Sequence, residues 1–338
     1  MFKNNNKIKV GLIFSIVLLL SFLMTISSYS EAQDKYIMKI SYNLGGTPDH
    51  PHYQIGHYMK ERIESLTEGK IEVQLFPQGQ LGSDREAIEG VMNGLIEMNW
   101  PASAPLANIV PEVGVLDLPY IFKDVNHCFR VLDSYVGDEL AEKCLSEGIR
   151  IGGWGFIGFR HVMTTKRPIN RLEDIKGLKI RVMEAPVFIE MIKAWGAIPT
   201  PISWPEVYMA LAQGVVDGQE TVINAAMADN HLEVIKYIAL TYDSITVRPL
   251  IISEVWFQKL PTNLQEVVLK VTKEADAMMR ELIVKLEEEG VEKAKTLFGV
   301  TITEPELGPW IEATRKIYPK FAKLVGGQEI IDKFLSVE

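Results

Sequence analysis

Residues 261–298 read PTNLQEVVLKVTKEADAMMRELIVKLEEEGVEKAKTLF. Pro261 suits a helix start, because the N–H it lacks is one that a first turn leaves unbonded anyway. From there polar and apolar residues alternate at helical period, and no proline interrupts until Pro305. The spacing predicts a helix of about 35 residues, far above the usual length of ~12. Such a length suits a strut running across two domains better than an element of one.

Upstream of that strut the pattern is layered α/β. Residues 36–42 (YIMKISY) read as a first strand. Ile55, Met59, Ile63 and Leu66 have helical spacing within 50–67. Ile71, Val73 and Leu75 alternate with polar residues as a second strand. Ser83 and Glu86 form a capping box that opens a helix through Ile88, Val91, Met92 and Leu95, and a short strand follows at 97–101. The order β-α-β-α-β points to a layered α/β domain. The alternation then repeats: strands are predicted at 149–156, 159–165, 178–183 and 197–200, helices at 124–147, 186–195, 204–213 and 220–229. Segment 246–253 reads as a strand returning to the first domain, and helices over about 307–325 and 327–336 close the chain. No internal repeat or low-complexity linker is visible. The expected fold is α/β and two-lobed, with the long helix (about 262–298) shared. Lobe I comprises 33–157 and 246–285, lobe II 158–245 and 286–338. Several crossings without a floppy linker suit hinge closure around a ligand.

The first residues are of another kind. Lys3, Lys7 and Lys9 precede an apolar run from Val10 to about Ile26, and small or polar residues follow from Ser27 to Ala32. A basic region, an apolar region and small residues at Ser30 and Ala32 describe a cleavable signal peptide over 1–32. An uncleaved anchor is the alternative, since the run approaches the ~18–20 residues a span needs. No cysteine follows the apolar run, which argues against a lipid anchor and for a protein released into a periplasm, not membrane-embedded after cleavage. Cleavage would remove three lysines and Glu31, leaving 32 basic against 43 acidic residues, a net charge of −11. So acidic a chain makes nucleic acid a poor partner. With 338 residues, 47% of them apolar and 23% charged, the chain has the make-up of a two-domain globular protein. On one continuous helix Cys128 and Cys144 would lie about 24 Å apart, beyond disulfide reach. A break at Gly137 would weaken that argument; two free thiols are expected.

No catalytic or cofactor motif in the chain is complete. Gly153-Trp-Gly155-Phe-Ile-Gly158 matches the dinucleotide fingerprint, which needs a helix N-terminus directly after it. The next residues read as strand, so the glycines are expected to let two strands turn back. His50, His52 and His57 cluster, but at no metal-ligand spacing; His50-Pro51 reads as a helix start, and no metal is expected. No Gly-x-Ser-x-Gly elbow and no phosphate loop occur. No cofactor and no catalytic activity are expected. What remains suits recognition. Arg181 ends a predicted strand, and Arg160 ends a run of glycines and aromatics. A guanidinium fork matches a carboxylate bidentately. Alternatively either arginine pairs with a local acid, for which Glu184 is a candidate.

At these residues the chain resembles the substrate-binding proteins of tripartite ATP-independent periplasmic (TRAP) transporters, the DctP-type family. The likeness runs over essentially the whole chain after the leader. Its most specific stretch is Thr200-Pro-Ile-Ser-Trp-Pro-Glu-Val-Tyr-Met-Ala-Leu-Ala-Gln-Gly-Val-Val-Asp-Gly-Gln-Glu220. Phe76-Pro-Gln-Gly-Gln-Leu-Gly-Ser-Asp-Arg85, Gly114-Val-Leu-Asp-Leu-Pro-Tyr-Ile-Phe122 and Lys176-Gly-Leu-Lys-Ile-Arg-Val182 support it. The resemblance implies a periplasmic-binding-protein-like fold of two lobes with a long connecting helix. It also implies capture of an organic acid and delivery to a membrane permease of small and large subunits, driven by an ion gradient. On that resemblance Arg181 grips the ligand carboxylate, Arg160 assists, Trp204 walls the ligand, and Asn43 and Asp84 reach its far end.

Departures from the family pattern concern the ligand. Thr221 stands where the family usually has asparagine, with Asn224 one turn on as a possible substitute. Ala102 and Ser103 stand where some relatives place an acid for polyhydroxylated ligands. Both changes weigh against a sugar acid, and Trp204 and Met163 would suit a smaller or more apolar one. A C4-dicarboxylate, a 2-oxo or hydroxy monocarboxylate, an aromatic acid and a uronate all stay open. So does a sensor that reports occupancy to a membrane receptor instead of a permease.

Overall fold

The computed structural model describes residues 35–48 and 50–337, so the predicted signal peptide lies outside the described residues. The first part of the chain runs β1 (Tyr36–Ser41), α1 (Pro51–Leu66), β2 (Ile71–Phe76), α2 (Asp84–Met92) and β3 (Met98–Asn99). Then come α3 (Ser103–Leu106), α4 (Val125–Leu132), α5 (Tyr135–Ser146), β4 (Ile149–Thr164), β5 (Lys179–Val182), α6 (Pro186–Ala194) and β6 (Ile198–Pro201). The middle continues with α7 (Val207–Ala212), β7 (Gly218–Val222), α8 (Ile223–Ala228), β8 (Tyr237–Ala239) and β9 (Ile245–Ser253). The chain ends with α9 (Glu254–Phe257), α10 (Thr262–Phe298), β10 (Thr301–Thr303), α11 (Gly308–Arg315), α12 (Tyr318–Leu324) and α13 (Gln328–Ser336).

One sheet carries the site, in the order β2-β1-β3-β9-β4-β7-β5-β6. Two strands hold its halves together. β9 lies antiparallel to both β3 and β4, as the expected return strand does. β4 pairs with β9 up to Phe159 and with β7 from Arg160 onward. Arg160 is therefore the first residue of the second half. There β5 lies parallel to β7 and β6, and β8 joins β4 and β10.

The long helix has the expected extent, 37 residues, and ends on Gly299 at φ 66. Leu264, Val268, Val271, Ala275, Met279 and Ile283 are buried along one stripe, spaced three and four apart as a helix face requires.

Several local expectations are corrected. The glycine run does not turn two strands back; β4 is one strand of 16 residues with register shifts after Ile151 and Phe156. The glycines serve the crossing of α10. A Cβ on Gly152 would stand 2.9 Å from Thr272, one on Gly153 2.8 Å from Asp276, and one on Gly158 would strike Glu287. The helix expected over 124–147 is two, parted at Asp133 and Ser134 because Asp124 and Ser134 each cap a separate N-terminus. Gly137 lies inside the second, and Cys128 and Cys144 are both free and buried. The helix expected over 220–229 begins only at Ile223, since 218–222 is the central strand β7. Likewise 307–325 is split into α11 and α12. The helix expected over 204–213 starts as a 3-10 turn at Trp204–Glu206.

Candidate functional site

A cavity lies where strand ends and helix starts of both sheet halves meet. From the first half come Asn43 and Leu44 after β1, Asp84 and Arg85 opening α2, Ala102 and Pro105, and Thr246 and Arg248 of β9. From the second come Arg160 of β4, Arg181, Met183 and Glu184 at the end of β5, Ile202 to Trp204 after β6, Thr221 of β7 and Ala225 of α8. Ile157 sits between the two sets.

The two expected arginines do different things. Arg160 is 2% exposed and its fork is filled. Its Nε donates to Glu220 Oε1, its Nη2 to Glu220 Oε2 at 2.7 Å, and its Nη1 to Thr246 Oγ1 at 3.0 Å. The Phe188 ring covers it at 4.6 Å. Its acid partner is thus Glu220, one strand over, and not Glu184. Burial works against the charged guanidinium, but Glu220 outweighs it and holds the pKa above the usual arginine value.

Arg181 is buried to the same degree and is not neutralised. Its Nε donates to Ile202 O at 2.9 Å, while its Nη1 has no hydrogen-bond partner among the described residues. The Trp204 ring lies 5.4 Å from its Cζ. Burial first, and the like charge of Arg160 second, press the Arg181 pKa down to about 9. A buried cation without a counter-charge is costly, so an anion placed here would be held strongly.

Trp204 is held by its own contacts: its Nε1 donates to Asp229 Oδ2 at 2.8 Å, and its ring lies 4.6 Å from that of His231. Asn43, Asp84 and Thr221 are buried in the wall, and Glu184 is an exposed part of it whose carbonyl accepts from Asn108 Nδ2. Three expected residues lie elsewhere. Ser103 turns away and donates to Asp117 Oδ1 at 2.7 Å, leaving Ala102 in the wall. Asn224 donates to Glu287 Oε1 at 3.0 Å and lines a neighbouring pocket, so it does not stand in beside Thr221. Met163 packs into the core with Val207 and Leu211, and Met183 takes the cavity position.

Sequence reasoning missed Arg248 and Thr246. The signal was available: Arg248 is the lone charge in the apolar strand Ile-Thr-Val-Arg-Pro-Leu-Ile-Ile. A charge inside a fully buried strand needs a partner or a function. Arg248 Nη2 donates to Trp100 O and lies 3.7 Å from Asp84 Oδ1. The histidines near the start of α1 act locally, with His50 Nδ1 capping the helix by accepting from His52 N–H. Among the described residues no group of three or more His, Cys, Asp or Glu is arranged to hold a metal, and no helix is long and apolar enough to cross a membrane.

Comparison with known proteins places these features. Residues 42–324 match the family model described as DctP, bacterial extracellular solute-binding protein, family 7. The sialic acid-binding periplasmic protein SiaP of Vibrio cholerae is 30% identical over 286 residues, covering 84% of this chain and 88% of that protein. The crystal structure of a TRAP periplasmic solute binding protein from Polaromonas sp. JS666, bound to D-erythronate, superposes with a TM-score of 0.85 at 32% identity, covering 90% of this chain and 99% of that one. One from Sulfurospirillum deleyianum with bound succinate gives 0.84 at 32% identity, with 90% and 99% covered. The fold is thus that of the TRAP periplasmic binding proteins, with the long helix included. These relatives are binding proteins and not enzymes, and this chain belongs to their family, the DctP-type bacterial extracellular solute-binding proteins.

Proposed function

We propose that this chain captures a small organic acid in the periplasm and hands it to a TRAP-type permease of small and large membrane subunits. The observation that carries the reading is the buried, unneutralised guanidinium of Arg181 in the cavity wall. A ligand carboxylate would supply the missing counter-charge, and a fork-to-carboxylate pair is among the stronger polar contacts available. Arg160, already bound to Glu220, would act mainly by holding β7 and Thr221 in position. Trp204 would lie against the ligand beside Arg181. Relatives named for sialic acid, D-erythronate or succinate all handle carboxylates, which agrees with that chemistry.

The lobes would be 33–157 with 246–285 and 158–245 with 286–338. The transfer of β4 from β9 to β7 at Phe159 and Arg160 supports a hinge there. Closure would desolvate the ion pair and so strengthen it. Residues 1–32 would direct export and then be removed by cleavage.

The test begins with the purified exported protein, denatured, and its released small molecules identified by mass spectrometry. A stoichiometric organic acid supports the reading. If nothing is released and no acid in a broad thermal-shift panel raises the melting temperature, the carboxylate role of Arg181 is abandoned.

A further inference from the structure

The first half of the sheet gives the cavity wall Arg248 and Asp84, one from β9 and one from the first turn of α2. Both are buried and both line the cavity. They are only loosely paired: 3.7 Å separates Arg248 Nη2 from Asp84 Oδ1, too long for a hydrogen bond. Each keeps a buried polar atom without a hydrogen-bond partner among the described residues, Nε on Arg248 and Oδ1 on Asp84. Asp84 Oδ2 and Arg248 Nη2 are in use, the first accepting from Ala102 N–H at 3.3 Å and the second donating to Trp100 O.

The charges of the wall give this pair a meaning. Among the buried charged groups of the wall, Glu220 cancels Arg160 and Asp84 cancels Arg248, which leaves Arg181 alone with one positive charge. Arg85 and Glu184 are exposed and screened by solvent. One net positive charge matches one carboxylate. In the Arg248–Asp84 pair a spare donor and a spare acceptor stand together. A hydroxyl satisfies both, accepting from Arg248 and donating to Asp84. A second carboxylate satisfies only the arginine, and it brings a like charge against Asp84 where little water screens it.

We infer that the Arg248–Asp84 pair sets specificity, admitting an acid whose far end carries hydroxyl groups and rejecting one that ends in a second carboxylate. The inference rests on the reading that Arg181 takes the first carboxylate. It is a discrimination by unpaired polar groups, which select more sharply than apolar fit does.

Calorimetry on the purified exported protein tests it with two length-matched pairs: 2,3,4-trihydroxybutanoate against succinate, and 2,3,4,5,6-pentahydroxyhexanoate against adipate. In at least one pair the hydroxy acid is expected to bind about tenfold or more tighter. Asp84→Asn, which removes the charge at constant shape, is expected to shrink that ratio about tenfold by favouring the dicarboxylate. The wild-type ratio is informative even if the variant does not fold. A dicarboxylate bound as tightly as its partner, with Arg181→Ala abolishing both, overturns the inference and leaves the carboxylate reading standing. Binding of none of the four acids overturns this inference alone, whereas binding indifferent to Arg181→Ala removes the carboxylate reading and this inference with it.

Discussion

Glu287 of the long helix accepts the backbone N–H of Phe159 at 2.9 Å, beside Gly158 at φ +123. This contact fastens α10 to β4 at the step where the strand changes partners from β9 to β7. A Cβ at Gly158 would have to occupy the space of the Glu287 carboxylate.

Gly158→Ala should therefore combine an unfavourable backbone angle with overpacking, at a cost of about 2–4 kcal/mol. Gly177→Ala is the control: its φ is +73 but its Cβ would meet nothing within 4 Å, so only about 1 kcal/mol of backbone strain is expected. Urea midpoints of the two variants measure the difference. Equal losses would show that the Glu287 contact contributes nothing beyond backbone angle.

Burial pushes the Glu287 carboxyl up to about 7 against the pull of the Phe159 N–H. Burial likewise raises Asp117 to about 7, opposed by the hydrogen bond from Ser103. In the unfolded chain both titrate near 4. Between about pH 4 and 7 the folded state holds these protons and the unfolded state has released them, so stability falls as pH rises through that window and levels above it. Denaturation midpoints should decline from pH 5 to 7.5. Glu287→Gln and Asp117→Asn should each flatten the slope, by at most about 1.4 kcal/mol per pH unit. A wild-type profile that rises across this window would contradict the raised values.

The Arg160–Glu220 pair is 2% and 0% exposed and joins adjacent strands. Glu220→Ala leaves the guanidinium buried without its counter-charge, with an expected loss of about 3–5 kcal/mol. Replacing both partners with apolar residues, Arg160→Met with Glu220→Leu, should recover much of that loss. Chemical denaturation of the single and double variants checks the ordering.

Arg181 should behave in the opposite way. Arg181→Ala removes an unneutralised buried charge, so the unliganded protein should lose no more than about 1 kcal/mol, roughly the hydrogen bond to Ile202 O. Binding of the acid should weaken by about 3–5 kcal/mol, as for a desolvated charge pair that has lost one partner. Melting and calorimetry on the same sample separate the two. A large loss of stability with unchanged affinity would make Arg181 a structural residue.

Much of the frame was legible in the linear chain. Helical spacing over 262–298, the caps at His50 and Ser83, and alternation in β1 and β2 are local patterns, set within a few residues. The arginine at the end of β5 could also be singled out, because an arginine there offers a fork wherever the strand happens to lie. What the sequence by itself determined was therefore the elements whose residues answer to their immediate neighbours.

The tertiary structure decided the rest. Gln219, Glu220 and Thr221 read locally as polar helix or loop, yet all three are buried in the central strand β7. Their burial is tolerated because Arg160, 60 positions away in sequence, satisfies Glu220. Gly152, Gly153 and Gly158 resemble a turn or a cofactor loop until the helix that crosses them is in place. Arg248 looks like a stray charge in an apolar strand until Asp84 stands opposite. The identity of a buried polar group's partner depends on which distant segments the fold brings together, and no local period or cap encodes that.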